Sequence, residues 1–169
     1  MKVIVIGPRG KMGKLITQVA AERDDMELVA GVAPAGRDYV GQDLGMVALI
    51  GRNLGVPVVD DLAAVIDGCD VIIDFSTREN ALKVLDLAVK HGKALVCGTT
   101  GFSEEEFARF KEAAKTIPML YAANTSKLVN IMNKLLEMVT KTLGEDADIE
   151  ILEMHDQWKK DAPSGTSKE

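Results

Sequence analysis

At 169 residues, 47% hydrophobic and 27% charged, the chain has the balance of a globular protein able to bury a core, as one domain or one domain plus the beginning of a second. A net charge of −6 argues against nucleic-acid or membrane binding by the whole surface, so any anion site must be local. No apolar run approaches the roughly 20 residues needed to span a bilayer. The N-terminus reads as a strand rather than a signal peptide. Cys69 and Cys97 lie in apolar runs without paired metal-ligand spacing, and read as reduced, buried thiols of a cytoplasmic protein.

Val3–Ile6 is a short apolar run rich in β-branched residues, the pattern of a strand buried on both faces of a parallel sheet. Gly7-Pro8-Arg9-Gly10-Lys11-Met12-Gly13 follows at once, then an amphipathic helix from Lys14 to about Arg23. In that context the three glycines suit a tight turn, a backbone close to a pyrophosphate, and a helix seated against its strand. The helix N-terminus adds free N–H groups and partial positive charge. Residues 27–33 form the next strand. Where an acidic residue often holds the adenosine ribose, the chain has Pro34, and no carboxylate appears before Asp38. Arg9 and Arg37 could instead meet a 2′-phosphate, which tilts the cofactor toward NADPH over NADH; a solvated Arg37 is the alternative.

Residues 34–56 form a long connection dotted with glycine, with a helical turn at 46–50. A short strand at 56–59 starts near Pro57, which suits a sheet edge, and Asp60 and Asp61 can cap a small helix at 62–66. Val71–Asp74 is another buried strand, ending in Phe75-Ser76-Thr77. A helix from about Glu79 carries His91 at its C-terminus, before a Gly92 stop. Ala94–Cys97 leads into Gly98-Thr99-Thr100-Gly101, a surface rich in backbone donors at a strand end. Ser103 with Glu106 begins a helix as a capping pair. Met119–Ala122 is the sixth strand and ends in Ala123-Asn124-Thr125-Ser126. In a long helix over 127–143, Leu128, Ile131, Leu135, Met138 and Val139 read as an inward stripe. A final strand is expected over 148–154. Strands alternating with helices, each strand ending in glycine or small polar residues, give an α/β fold with a Rossmann-like doubly wound parallel sheet. The expected division is a dinucleotide-binding domain over 1–126 and the beginning of a second domain over 127–169.

The last stretch, Glu153 to Thr166, places an imidazole, two ammonium groups and a Ser-Gly-Thr turn directly after a strand. Such a set suits a small anionic substrate, because cations and N–H donors converge on it. Taken without context, a lone histidine at a strand end is more often structural, and Lys159-Lys160 more often a solvated pair.

Gly7–Gly13, Asp74-Phe75-Ser76, Gly98–Phe102, Ala122–Ser126 and Glu153-x-His155-x3-Lys159-x-Asp161-Ala-Pro-Ser-Gly-Thr166, in this order, resemble the dihydrodipicolinate reductase family. The resemblance implies an NADPH- or NADH-dependent reduction of 4-hydroxy-tetrahydrodipicolinate in lysine and diaminopimelate biosynthesis. It implies that Gly7, Pro8, Arg9, Gly10, Lys11 and Met12 hold the pyrophosphate, while Gly98, Thr99, Thr100, Ala122, Ala123, Asn124 and Thr125 line the nicotinamide side. His155 and Lys159 would be catalytic, and Asp156, Ser164, Gly165 and Thr166 would face the dicarboxylate substrate. A homo-tetramer is implied for a complete family member, with neither nucleic acid nor membrane as partner. Three positions depart from the family pattern: Asp156 replaces a second histidine, Thr125 an aromatic or methionine, and Pro34 the ribose-binding acid. The family's substrate domain continues well past Thr166, so the chain reads as a cofactor domain followed by the first helix and strand of a truncated α+β substrate domain. The competing expectation is a fragment or divergent homologue that binds the nucleotide without turnover.

Overall fold

The computed structural model describes residues 1–155, 157 and 162–168. The chain divides into two compact units, Met1–Tyr121 and Ala122–Glu169.

The first unit is a six-stranded parallel sheet flanked by helices. Its strands are β1 (Lys2–Ile6), β2 (Glu27–Val32), β3 (Val58–Val59), β4 (Val71–Asp74), β5 (Ala94–Cys97) and β6 (Met119–Tyr121). Their spatial order is β3-β2-β1-β4-β5-β6. Every pairing between neighbours is parallel, which a chain of β-helix-β crossovers requires. β1 and β4 sit at the centre, and there Val3, Ile4, Val5 and Ile72 are wholly buried. That burial on both faces explains why these segments are continuous apolar runs rather than alternating ones.

The helices are α1 (Lys11–Ala21), α2 (Leu44–Val47), α3 (Arg78–His91) and α4 (Glu104–Ala113). α1 begins three residues earlier than the apolar periodicity suggests, because Gly10 adopts an extended N-cap conformation. α3 stops where Gly92 takes a left-handed φ of 63°. α4 carries a complete capping box: Ser103 N–H donates to Glu106 Oε2 at 2.8 Å, and Glu106 N–H to Ser103 Oγ at 3.2 Å. Against β6, Phe102, Phe107, Phe110 and Tyr121 form an aromatic cluster, with Phe102 and Phe110 centroids 4.6 Å apart. Cys69 and Cys97 are free and buried. No helix among the described residues is long and apolar enough to cross a membrane.

The long connection after β2 is organised by one carboxylate. Asp43 caps α2 by accepting from Gly45 N–H at 2.8 Å. It also accepts from the N–H groups of Leu54, Gly55 and Val56 at 2.9, 2.8 and 3.3 Å. Burial pushes its acidity the other way, but these four backbone donors outweigh burial and hold the carboxyl below its usual range.

The second unit contains α5 (Lys127–Leu143) and the short α6 (Gly165–Lys168). Two expectations are corrected here. α5 has the expected bounds and is strongly amphipathic, yet no residue of it is buried. Leu128, Ile131, Leu135, Met138 and Val139, read as inward, are all exposed. Periodicity marks which face of a helix seeks cover; a single long helix cannot supply that cover from its own unit. Likewise, no strand forms over 148–154. Ile151, Leu152 and Met154 are exposed, Met154 to 98%. Alternation creates a tendency to pair, and a strand needs a neighbour to pair with.

Candidate functional site

The C-terminal ends of β1, β2, β4 and β5 share one edge of the sheet. From β1 the chain steps outward to β2 and β3, then crosses back to β4, so the β1/β4 boundary is the point where the winding reverses. Open α/β sheets bind ligands at that crevice.

Gly7 leaves β1 with φ 68°. Its N–H donates to Val32 O at 2.8 Å, and its carbonyl accepts from Gly10 N–H at 3.0 Å. α1 is seated against this turn. A Cβ on Gly13 would lie 2.8 Å from Gly7 C and 2.9 Å from Pro8 Cα, closer than real side chains come. Thr17 secures the first turn of the helix by donating its hydroxyl to Gly13 O at 2.7 Å. The first-turn N–H groups of Lys11, Met12 and Gly13 have no acceptor within the helix and point out of its start. Together with the helix dipole they form a cradle for a phosphate anion.

Beside this turn lies a cavity of about 370 Å³, lined by Gly7, Ala33, Pro34, Asp61, Ser76 and Lys83 among others. Arg9 lies with the loop that follows β2: its guanidinium bonds Asp38 at 2.8 Å and sits 4.9 Å from the Tyr39 ring centroid. That ion pair is exposed and contributes little by itself. Arg37 is solvent-exposed in the same loop.

On the other side of the crevice, Gly98 N–H donates to Asp74 O at 2.9 Å as β5 ends. The Phe75 ring packs directly over Gly98, occupying the space a Cβ would need. Two polar atoms are buried here without a partner among the described residues, Asp74 Oδ2 and Thr99 Oγ1. Desolvation raises the Asp74 carboxyl, although Ser76 N–H donates to Oδ1 at 2.9 Å. Burial also pushes the Cys97 thiol up to about 11. Thr100 is exposed. A Cβ-free cradle on one side of the reversal point and unsatisfied buried oxygens on the other fit a dinucleotide with a polar ring end.

In the second unit, Asn124 links two groups of expected site residues. Its Nδ2 donates to Thr166 Oγ1 at 3.0 Å, while its Oδ1 accepts from Ser126 N–H at 2.8 Å. Ser126 in turn caps α5, accepting from Val129 N–H at 3.4 Å. Ala122 and Ala123 precede this turn half-buried, and Thr125 is exposed. Around Glu153 the chain closes a loop. Glu153 Oε1 accepts from Ser164 N–H at 2.8 Å, and Oε2 accepts from Ser167 Oγ at 2.7 Å and from His155 Nε2 at 3.0 Å. These donors, Ser164 first, hold the Glu153 carboxyl far below its usual range. Ser164 itself is buried and turned inward: its N–H serves Glu153, and its Oγ accepts from Ser167 N–H at 3.2 Å. Of the expected residues, Lys159 and Asp156 lie outside the described ones.

Glu153 and Asp43 organise their loops, and neither role was read from sequence. The Asp43 cap had a local signal, an aspartate immediately before a helical turn. Glu153 had none for its hold on the turn, because Ser164 and Ser167 lie 11 and 14 residues downstream.

The strand order, the glycine turn at the reversal point and the phosphate cradle define the class: a Rossmann-type dinucleotide-binding α/β fold. Within that class the chain belongs to the dihydrodipicolinate reductase family. Residues 1–125 match the family's N-terminal model and residues 128–169 its C-terminal model. A 4-hydroxy-tetrahydrodipicolinate reductase from Geobacter metallireducens is 47% identical over 167 residues, 99% of this chain and 62% of that protein. One from Hahella chejuensis is 43% identical over 166 residues, 98% of this chain and 62% of that protein. Among solved structures, a dipicolinate-bound dihydrodipicolinate reductase from Paenisporosarcina sp. TG-14 superposes with a TM-score of 0.76 at 30% identity, covering 99% of this chain and 63% of that one. The chain thus spans about 62% of the length of these curated relatives.

Proposed function

We infer that this chain is the cofactor-binding part, with the beginning of the substrate site, of a reductase that converts 4-hydroxy-tetrahydrodipicolinate to tetrahydrodipicolinate at the expense of NADPH or NADH. The observation that carries this reading is the conjunction of a phosphate cradle at the sheet's reversal point with the hold of Glu153 on His155 and Ser164 and of Asn124 on Thr166. A bare Rossmann sheet would support any dehydrogenase; the tied segment selects a substrate with carboxylates.

The bound nicotinamide supplies the hydride. Gly7 to Met12 wrap the pyrophosphate, with Lys11 and Met12 at the start of α1 offering it free backbone N–H groups, and Gly98 to Thr100 with Ala122 to Thr125 border the ring. Hydride arriving at a conjugated imine builds negative charge that a positioned acid must neutralise. His155 and Lys159 are the proton donors in this reading, and both also attract the dicarboxylate. Gly165 and Thr166 hold a substrate carboxylate, with the Thr166 hydroxyl oriented by Asn124. Ser164 supports the turn from beneath rather than touching substrate, since its N–H and hydroxyl are already engaged. Asp156 would repel a dicarboxylate unless a lysine of the same segment pairs with it.

NADPH is preferred over NADH in this reading. Ala33-Pro34-Ala35 offers a ribose no carboxylate, whereas Arg9 and Arg37 are exposed in the neighbouring loops. A doubly charged 2′-phosphate competes well against the exposed Asp38 for Arg9. The homo-tetramer of a complete family member remains part of the proposal. The test is a titration of the chain with NADPH followed by addition of the dicarboxylate. Oxidation of NADPH that depends on substrate is expected. Tight NADPH binding without oxidation would reduce the chain to a nucleotide-binding module.

A further inference from the structure

Glu153 makes three hydrogen bonds with a single carboxylate, and they join chemically different partners: the Ser164 backbone N–H, the Ser167 hydroxyl and the His155 ring. A carboxylate only accepts, so the ring nitrogen facing it must carry the proton. The facing nitrogen is Nε2, 3.0 Å from Oε2. Among the described residues Nδ1 has no partner, which leaves it as the nitrogen to meet a ligand. The imidazole remains 41% exposed, while the Glu153 side chain that holds it is 27% exposed.

We propose that Glu153 is a positioning residue that fixes His155 as its Nε2–H form, presents Nδ1 for proton exchange with the substrate, and holds the Ser164–Ser167 turn beside the ring. This deepens the reductase reading and rests on it for the identity of the substrate. The same carboxylate therefore sets both the orientation of the ring, whose Nδ1 accepts a proton when neutral and donates it from the imidazolium, and the position of the carboxylate-binding turn. The arrangement follows the general pattern in which a buried or semi-buried carboxylate on one ring nitrogen decides what the other nitrogen can do.

The chain holds its own reference. It has two histidines, and the other, His91, faces Asp67 through Nδ1 at 2.8 Å. The two rings should therefore be opposite tautomers when neutral. The experiment is two-bond proton–nitrogen correlation NMR on the 15N-labelled chain, free and with dipicolinate. The expected wild-type spectrum shows His155 as Nε2–H and His91 as Nδ1–H. Glu153→Gln keeps one carbonyl oxygen for Ser164 N–H but turns an amide NH2 toward the ring, which can only donate to Nε2. The His155 Nε2–H to Nδ1–H ratio should then fall roughly tenfold or more, with His91 unchanged and the Ser164 amide still protected from exchange. A purely structural Glu153 would leave the tautomer ratio alone. Wild-type His155 in the Nδ1–H form, or a ratio unmoved by Glu153→Gln, overturns the proposal; the wild-type spectrum decides even where the variant does not fold. Dipicolinate should perturb Nδ1 rather than Nε2, and perturbation at Nε2 overturns the assignment of the free nitrogen. The tautomer as stated, with no response to dipicolinate, overturns the dicarboxylate reading and leaves Glu153's hold on the ring standing.

Discussion

Gly13→Ala separates a phosphate cradle from an ordinary tight turn. The new Cβ would overlap Gly7 O and lie 2.8 Å from Gly7 C and 2.9 Å from Pro8 Cα, where ordinary contact begins near 3.4 Å. All three obstacles are backbone atoms, so no rotamer change relieves them, and α1 must withdraw by more than the shortfall at Gly7 C, about 0.6 Å, because Gly7 O lies closer still. Overpacking of this kind costs about 1–3 kcal/mol, equivalent to a Tm loss of roughly 3–10 °C at this chain length. The same withdrawal stretches the hydrogen bonds from the first turn of α1 to a pyrophosphate. At about 1.5–3 kcal/mol for a bond to a charged group, losing one or two weakens binding roughly 10- to 100-fold or more. Thermal melts and calorimetric titration with NADPH measure the two effects. Gly68→Ala is the control, because its Cβ meets only Val29 Cγ1 at 3.5 Å; its Tm should hold or rise slightly through a stiffer unfolded chain. Gly13→Ala melting within a degree of wild type and binding NADPH unchanged would refute the close seating of α1 as the basis of the site.

Asp43→Ala should destabilise the first unit by about 2 kcal/mol, since it strips a cap and three further backbone donors of their acceptor. The carboxyl is depressed in the folded chain, so its contribution is present above the unfolded value of 3.8 and disappears as pH falls through the lower folded value; urea melts of the two proteins should converge in strong acid. Arg9→Ala should lower NADPH affinity about tenfold while leaving NADH nearly unchanged, as paired titrations would show; equal losses would remove Arg9 from 2′-phosphate recognition. Cys69 and Cys97 should resist a thiol reagent at pH 8 and react fully in denaturant, because both are buried and burial raises both thiols. Lys159→Ala should lower turnover far more than cofactor affinity in a complete, active protein, and an unchanged rate would exclude it as proton donor.

The sheet was legible because its central strands are buried on both faces, so runs such as Val3–Ile6 and Val71–Asp74 carry their identity locally. Helix ends marked by side-chain chemistry were equally readable: Ser103 with Glu106 starts a helix and Gly92 stops one where their geometry dictates. What failed was inference from pattern to partner. The stripe of α5 and the alternation of 148–154 state a requirement for burial, which only tertiary contacts can meet. At the site, residue types were readable and their commitments were not. Ser164 looked like a substrate contact, but its hydrogen-bonding capacity is spent on Glu153 and Ser167. Such use depends on contacts that close across a loop, and spacing carries no sign of them.

The two borders of the sheet are its shortest strands, β3 with two residues and β6 with three. On the β3 side, the loop after β2 folds back along the border. Gly41 N–H donates to Val58 O at 2.7 Å, and Val58 N–H donates to Gln42 O at 2.9 Å. Pro57 adds a position with no N–H to offer. A foreign strand arriving there finds its hydrogen-bonding slots already filled, and on the β6 side it finds only a three-residue template. Growth of the sheet past β3 is therefore blocked by the chain's own backbone, and past β6 it is limited by the shortness of the strand.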